Sequence, residues 1–227
     1  MKTRSDKIGV IIVAAGAGQR MGEDKAFLML AGKPLIVWSL DTCHSYEPIT
    51  QIVLVLNNNN IGRGKQLAAG NNWSKLTGIC TGGARRQDSV KAGLEKLDSC
   101  DWIIVHDGAR PFLTVDLLRA GLESARKTGA AVAAVPVKDT IKLSDDNNII
   151  KTTLERQHLW IAQTPQVFRS DIITNAYANF NDNVTDDAML VEKMGYDISL
   201  YSGSYSNIKI TTPEDMAIAE IIAKALS

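Results

Sequence analysis

The chain has 227 residues, of which 25 are basic, 25 are acidic and 45% are apolar, so its formal net charge is zero. This balance argues against a basic nucleic-acid-binding surface, and no apolar run is long enough to span a bilayer. The three cysteines, Cys43, Cys80 and Cys100, form no paired motif, which predicts reduced thiols. No apolar signal segment begins the chain, so we expect a cytoplasmic protein with neither nucleic-acid nor membrane partners.

The first half of the chain predicts alternating strands and helices. A β-branched apolar run at residues 10–13 predicts a buried parallel strand that ends in a glycine-rich turn. Further strands are predicted at residues 51–56, 76–80, 102–106 and 130–135. Helices are predicted at residues 34–43, along the face formed by Val90, Leu94 and Leu97, and between Thr114 and Gly129.

The alternation breaks at residues 137–161, where two extended segments surround the turn at residues 144–147 and predict a protruding β-arm. Helices are predicted to resume at residues 170–180 and 186–194, and late strands at residues 196–201 and 207–210. Thr212 and Pro213 are typical of the cap and first position of a final helix. We therefore expect one α/β domain over residues 1–227, with a doubly wound, mostly parallel, Rossmann-like sheet and an inserted arm.

The turn after the first strand is suited to phosphate. Gly16 and Gly18 have no Cβ, so backbone N–H groups can approach phosphate oxygens, while Arg20 and Lys25 supply positive charge. The dinucleotide-binding pattern is incomplete, since Met21 stands where its third glycine would be, and no Walker Gly-Lys-Ser/Thr follows. The alternative is a tight strand-to-helix turn without a ligand.

Asp107 directly follows a predicted buried strand, at the sheet edge where open α/β proteins bind ligands. Its carboxylate can reach a phosphate-bound Mg²⁺, and the planar fork of Arg110 can bind a second phosphate. A helix-capping aspartate beside a surface arginine is the alternative interpretation. His106 is expected to pack on the opposite side of the strand from Asp107.

Three weaker groups each have a functional and an ordinary explanation. The glycines before Arg86 allow a base or ribose to approach, and Ser89 can hydrogen-bond it, although a plain helix cap explains the segment as well. Lys209 is either a catalytic cation or a solvated strand lysine, and Arg156 and residues 185–187 are equally ambiguous. Taken together, the groups predict one pocket for a nucleoside triphosphate, Mg²⁺ and an anionic second substrate.

The motifs AAGAGQRM, GGARRQDSV, VHDGARPF, PVKDTIK, QTPQVF, TDD and NIKITTPEDM occur in an order that resembles the 2-C-methyl-D-erythritol 4-phosphate cytidylyltransferases. The resemblance covers essentially the whole chain, arm included. It implies the nucleotidyltransferase fold and a Mg²⁺-dependent step of the non-mevalonate isoprenoid pathway. In that step, CTP and methylerythritol phosphate give 4-diphosphocytidyl-2-C-methyl-D-erythritol and pyrophosphate.

The resemblance also implies a role for each matching residue. It makes Arg20, Lys25 and Lys209 the catalytic cations. It assigns the nucleotide to Ala14, Ala15, Gly16, Gly18, Gly82, Arg86 and Ser89. It assigns the acceptor phosphate to Asp107, Arg110, Thr140, Arg156 and Thr185, with Asp107 also near Mg²⁺. In the family the arm pairs two subunits, so a homodimer is expected in which Arg156 reaches the partner's active site.

Two other functions remain open from the sequence. A ribitol-5-phosphate cytidylyltransferase has the same fold and most of the CTP loop, and Ala109 only weakly favours the methylerythritol enzymes over it. A catalytically silent nucleotide-binding regulator would be expected to lack a cation, whereas Arg20, Lys25 and Lys209 are all present.

Overall fold

The computed structural model describes residues 6–16, 25–180 and 182–226. Its strands within these ranges are β1 (Ile8–Ala14), β2 (Met29–Leu30), β3 (Lys33–Pro34), β4 (Ile49–Leu56), β5 (Leu76–Thr81), β6 (Trp102–Asp107), β7 (Ala130–Pro136), β8 (Lys142–Ser144), β9 (Ile150–Thr153), β10 (Trp160–Arg169) and β11 (Ser199–Ser202). Its α-helices are α1 (Leu35–Ser45), α2 (Ile61–Ala69), α3 (Arg86–Leu94), α4 (Val115–Thr128), α5 (Ser170–Asn179), α6 (Ala188–Lys193) and α7 (Pro213–Leu226).

Seven strands form the central sheet in the order β11-β7-β10-β6-β1-β4-β5. Strands β1, β4, β5 and β6 run parallel, as do β7 and β11, and β10 is antiparallel to both β6 and β7. The chain proceeds from β1 outward to β5 and then returns to the other side of β1 as β6. This reversal places a topological switch point, where doubly wound sheets open a ligand crevice, between β1 and β6.

Helices cover both faces of the sheet, which confirms the predicted doubly wound, mostly parallel architecture. On one face α1, α2 and α4 bury side chains such as Leu40 and Leu118, and on the other α3, α5 and α6 bury Val90, Ile173 and Leu190. Helix α7 packs in a smaller cluster with the β2–β3 hairpin and the start of α1. None of the helices in the described ranges is long and apolar enough to cross a membrane.

Strands β8 and β9 form a separate antiparallel hairpin within residues 137–161, where the arm is predicted. Both strands are exposed along their whole length. At the turn Asp145 accepts the backbone N–H of Asn147 and of Ile149, and Asn148 has a φ of 62°. The hairpin therefore holds its shape through turn chemistry, since it buries little of its own surface.

Five elements differ from the sequence expectations. Strands β2, β3 and β10 and helix α2 have no counterpart in the predicted elements. The predicted strand at residues 207–210 is wrong, because this segment adopts no strand conformation. Its polar groups bond to the loop after β6 and to β10 instead: the Ile210 N–H donates to Ala109 O, and Asn207 Nδ2 donates to Thr164 O.

Candidate active site

A cavity of about 460 Å³ opens at the switch point between the carboxyl ends of β1 and β6. The end of β1 contributes residues 13–16 and the end of β6 contributes residues 107–109. Val13 and Asp107 are register partners across the two strands, so the two strand ends meet at the cavity floor. The remaining lining comes from the first turn of α3 and from the segments around Lys25 and Lys209.

The lining has an excess of positive charge. Lys25, Arg85, Arg86 and Lys209 are cationic, and Asp107 is the one acidic residue among the described lining residues. Arg85 is engaged by Asp88, with Nη2 at 2.7 Å from Oδ1. Even when Asp88 and Asp187, which pair with Arg85 and Arg86 from outside the lining, are counted, these four cations outnumber the three carboxylates, so the cavity favours a polyanion.

Asp107 lies at the centre of this charge arrangement. Its side chain is 9% exposed, with Arg86 Nε at 2.9 Å from Oδ1 and Lys209 Nζ at 2.7 Å from Oδ2. Burial alone would raise the pKa of Asp107, but the charges of Arg86 and Lys209 outweigh it and hold that pKa far below its ordinary value. The carboxylate is therefore ionised at any physiological pH.

Buried hydrogen bonds fix the loop that carries Asp107. The Arg110 carbonyl can only accept, so His106 donates to it from Nε2 at 3.0 Å, and the unprotonated Nδ1 accepts from Thr164 Oγ1 at 3.1 Å. The Thr164 hydroxyl in turn accepts the Asp107 N–H at 3.0 Å. Burial lowers the pKa of His106 to about 4, so the ring stays neutral, and it packs inside as predicted.

Close packing shapes the part of the cavity beside Gly82 and Gly108. A Cβ at Gly82 would collide with the side chains of Ser89 and Ala15, and a Cβ at Gly108 would lie 2.7 Å from Ile36. Gly82 therefore requires glycine on steric grounds, whereas a Cβ at Gly108 would require the flexible end of Ile36 to shift. Among the described residues, none has an atom within 4 Å of a Cβ added at Gly16, which lines the cavity.

The structure brings together most of the residues predicted for the nucleotide and the chemistry. The cavity is lined by Ala14, Ala15, Gly16, Lys25, Arg86, Ser89, Asp107 and Lys209, and Gly82 lies directly beside it. Gly18 and Arg20 lie outside the described residues. Lys209 is 40% exposed and turns its ammonium group toward Asp107, although its segment is not the predicted strand.

Apart from Asp107, the residues predicted for the acceptor lie outside the lining. Arg110 is buried beneath it and donates from Nη1 to Asn207 O at 2.7 Å. Thr140 and Thr185 are exposed, and Arg156 in the arm donates to Lys138 O at 2.6 Å. Their roles toward an acceptor therefore stay predictions.

Two buried residues lie behind the cavity: Asp187, which the sequence left ambiguous, and Tyr177, which sequence reasoning missed. The Asp187 side chain is fully buried, with Oδ2 at 2.8 Å from Arg86 Nη1, and the Tyr177 hydroxyl donates to Oδ1 at 2.5 Å. The only sequence signal was the pair of adjacent carboxylates, Asp186 and Asp187, before a predicted helix.

Comparison with known proteins identifies the family. A family model described as IspD, 2-C-methyl-D-erythritol 4-phosphate cytidylyltransferase, matches residues 8–225. The protein of that name from Dehalococcoides mccartyi strain CBDB1 is 48% identical over 97% of each chain. The chain belongs to this cytidylyltransferase family. The cytidylyltransferase of Alkaliphilus oremlandii is 41% identical over 96% of this chain and 95% of its own.

Solved structures of the cytidylyltransferase family share the whole architecture. The 4-diphosphocytidyl-2C-methyl-D-erythritol synthase of Anaerococcus prevotii matches with a TM-score of 0.87 and 30% identity over 97% of each chain. The cytidylyltransferase of Thermus thermophilus matches with a TM-score of 0.76 and 31% identity over 96% of this chain and 99% of its own. The family, fold class and activity predicted from the motifs are confirmed: the chain is a nucleotidyltransferase that makes 4-diphosphocytidyl-2-C-methyl-D-erythritol from CTP and methylerythritol phosphate.

The cavity fits a divalent cation only if the substrate supplies most of its ligands. Among the residues that the structure describes, no three His, Cys, Asp or Glu side chains cluster as a metal site. Asp107 is ionised and each of its oxygens retains a free lone pair beside its cationic partner. Mg²⁺ commonly binds through one or two carboxylates and substrate phosphates, and this donor set matches that pattern.

Proposed function

We propose that cytidylyl transfer takes place in the cavity at the β1–β6 switch point. A phosphate oxygen of methylerythritol phosphate attacks the α-phosphorus of CTP, and the bond from that phosphorus to the β-phosphate oxygen breaks to release pyrophosphate. The observation that carries this proposal is the ionised Asp107, held between Arg86 and Lys209 at the floor of a cationic cavity. In-line displacement of this kind needs positioning and charge stabilisation more than a general base, because the nucleophile is already an anion.

The lining suggests a division of roles. Lys25 and Lys209 stabilise the negative charge that grows on the triphosphate, as does Arg20 by the motif match. The backbone at residues 14–16 offers N–H groups to phosphate oxygens at the end of β1. The tight packing of Gly82 against Ser89 and Ala15 leaves little room beside them, which favours a pyrimidine over a purine.

Asp107 is the residue that would hold Mg²⁺ together with the triphosphate. The metal would supply charge neutralisation at the phosphates. Chelation with EDTA is then expected to abolish pyrophosphate release, and excess Mg²⁺ to restore it. An Asp107→Asn enzyme should need a higher Mg²⁺ concentration for half-maximal turnover. Turnover unaffected by EDTA, or an unchanged Mg²⁺ requirement in Asp107→Asn, would remove the metal from this site.

The arm supports a homodimer. Six large apolar side chains are exposed within or beside it: Leu143, Ile149, Ile150, Leu154, Trp160 and Ile161. Exposed apolar surface this concentrated is typical of an interface. Equilibrium sedimentation is expected to give twice the chain mass, and Leu143→Asp/Ile150→Asp to give the single-chain mass. A monomeric wild-type enzyme with full activity would contradict the dimer.

A cytoplasmic location also stays a prediction. The thiols of Cys43, Cys80 and Cys100 are free and buried, which suits a reducing compartment.

A further inference from the structure

Asp187 is a buried carboxylate immediately behind the cavity that the proposed reaction does not use. It directly precedes α6, and its side chain has no exposed surface. A buried carboxylate is unfavourable unless cations or hydrogen-bond donors face it. Here Arg86 Nη1 lies 2.8 Å from Oδ2, and the Tyr177 hydroxyl donates to Oδ1 at 2.5 Å.

Arg86 connects this buried pair to the cavity. Its Nε faces Asp107 at 2.9 Å while its Nη1 faces Asp187 at 2.8 Å. The guanidinium group is planar, so two carboxylates on different nitrogens fix both its position and the orientation of its plane. The third nitrogen, Nη2, is buried and has no hydrogen-bond partner among the described residues.

Charge balance explains why a second carboxylate is needed. Asp107 is shared between two cations, Arg86 and Lys209, both of which line the cavity. Without Asp187, Asp107 would be the only carboxylate in contact with Arg86 among the described residues. The guanidinium would then be free to turn and follow Asp107 or a bound phosphate. Asp187 supplies a fixed anion on the far side that keeps it in place.

Tyr177 fixes the carboxylate of Asp187 in turn. Burial, and then the charge of Asp187, raise the pKa of Tyr177, so the hydroxyl keeps its proton and remains a donor. It belongs to α5, whereas Asp187 directly precedes α6, so the hydrogen bond joins two elements packed on the same face of the sheet.

A second contact holds the segment before α6 against the first turn of α3. Gln87 Nε2 donates to Asp182 O at 2.8 Å, and Gln87 Oε1 accepts the Val184 N–H at 3.3 Å. Arg86 and Gln87 are consecutive residues of α3, so both ends of residues 182–187 are tied to the helix that contributes to the cavity wall. The distance between Arg86 and Asp187 is therefore set by the backbone as well as by their charges.

We propose that Asp187 and Tyr177 are positioning residues that hold Arg86 in the orientation needed to bind CTP. The inference rests on the proposed location of the transfer reaction in this cavity. It assigns a function to the Asp187 carboxylate, which touches no lining residue except Arg86 in the contacts that the structure describes.

The first test compares Asp187→Asn with Asp186→Asn. Asp186 is the matched control, because it makes comparable hydrogen bonds, with Gln166 Nε2 at 2.7 Å and Met189 N at 3.1 Å, but none with Arg86. We expect Asp187→Asn to lower kcat/KM for CTP by roughly tenfold to a hundredfold, the loss typical of one charge-assisted hydrogen bond. Its KM for methylerythritol phosphate should stay unchanged, and Asp186→Asn should keep wild-type kinetics.

The second test asks whether Asp187 acts through Arg86. In an Arg86→Gln background, Asp187→Asn is expected to cause no further loss of kcat/KM for CTP, since the group it positions is already gone. Equal losses in both backgrounds would overturn the inference, as would Asp187→Asn kinetics that match those of Asp186→Asn. If Asp187→Asn does not fold, Tyr177→Phe can replace it in the wild-type and Arg86→Gln backgrounds, because it removes only the hydroxyl group. We then expect a smaller loss of kcat/KM for CTP in the wild-type background and none in the Arg86→Gln background.

The activity of the wild-type enzyme distinguishes a failure of the proposed function from a failure of the positioning inference. If it releases no pyrophosphate from CTP and methylerythritol phosphate, the proposed function is wrong. If it turns over normally and the two aspartate variants behave alike, only the positioning inference is wrong.

Discussion

Replacement of Lys209 by methionine tests the electrostatics of the site most sharply, because it removes a charge and keeps most of the length of an unbranched side chain. The ammonium group lies 2.7 Å from Asp107 Oδ2, and its side chain is 40% exposed. A fully exposed ion pair contributes roughly 0–1 kcal/mol to stability, and this pair should contribute somewhat more because Asp107 is 9% exposed. Asp107 also keeps Arg86 Nε at 2.9 Å, so Lys209→Met leaves no unpaired buried charge.

The effect on catalysis should be much larger than the effect on stability. Negative charge develops on the phosphates in the transition state, and one cation or donor aimed at such charge typically contributes about 3–4 kcal/mol. We therefore expect kcat to fall roughly a hundredfold to a thousandfold. The assay is steady-state pyrophosphate release at saturating substrates, with the free energy of unfolding measured in parallel by urea titration.

Lys33 offers a matched control for this variant. Its ammonium group pairs with Asp41 at 2.8 Å, and the two side chains are 37% and 44% exposed, but the pair does not line the cavity. Lys33→Met is expected to cost no more stability than Lys209→Met and to leave kcat unchanged. A Lys209→Met enzyme with wild-type kcat would refute the reasoning and return Lys209 to the role of a solvated surface lysine.

Three further outcomes are expected. Gly82→Ala should lower the free energy of unfolding by about 1–3 kcal/mol, because the added Cβ collides with Ser89. In the same denaturation series Gly62→Ala in α2 should be neutral or slightly stabilising, since no atom of the described residues lies within 4 Å of its added Cβ. The free energy of unfolding of the wild-type protein should fall by about 3 kcal/mol as the pH drops from 6.5 toward 4. In the unfolded chain His106 takes up a proton at its ordinary pKa of 6.5, whereas burial lowers its pKa in the folded protein to about 4. Urea titration across this pH range should show that the free energy of unfolding of His106→Gln depends less steeply on pH than that of the wild type. An unchanged slope would mean that another group takes up the proton. Arg156→Ala should raise KM for methylerythritol phosphate more than KM for CTP, and equal effects would argue against an arm residue that completes the acceptor site.

Two neighbouring groups, His106 and Asp107, both lower the free energy of unfolding as the pH falls. His106 faces Asp107, Arg110 and Arg86. Asp107 has a lowered pKa, so the stability from its ion pairs is present above its ordinary pKa near 4 and is lost as the pH falls below that value. The loss between pH 6.5 and 4 therefore belongs mainly to His106, and the loss at lower pH to Asp107.

Local signals in the sequence were sufficient for the parallel half of the sheet. The apolar runs of β1, β4 and β6 are buried on both faces and alternate with helices, so both type and order can be predicted from periodicity. The end of β1 and the end of β6 then meet by topology alone. This is why Gly16 and Asp107 could be assigned to one site before any contact was known.

Strand β10 could not be predicted in the same way. Its sequence contains Pro165 between the polar residues Gln163 and Gln166, a pattern that argues against a central strand. The structure accommodates the proline where the β7 ladder shifts register between Ala162 and Gln166. Hydrogen bonds from Gln163 to Ser204 O and from Gln166 to Asp186 satisfy the polar side chains.

Tertiary packing also decides the parts of the site that the sequence left open. Lys209 and Asp107 are 102 residues apart, and the segment that carries Lys209 is held by bonds to loops rather than by a strand ladder. The contact of Asp187 with Arg86 and Tyr177 becomes visible only when α5 and α6 pack beside α3, because the TDD motif gives no sign of these partners and Tyr177 belongs to none of the quoted motifs.

The central claim is that this cavity transfers a cytidylyl group to methylerythritol phosphate. The most direct measurement is pyrophosphate release from CTP and Mg²⁺, with methylerythritol phosphate and ribitol 5-phosphate offered to the wild-type enzyme side by side. We predict turnover with methylerythritol phosphate and none with ribitol 5-phosphate. Turnover with ribitol 5-phosphate alone would contradict the assigned acceptor, and no release with either acceptor would contradict the transfer reaction itself.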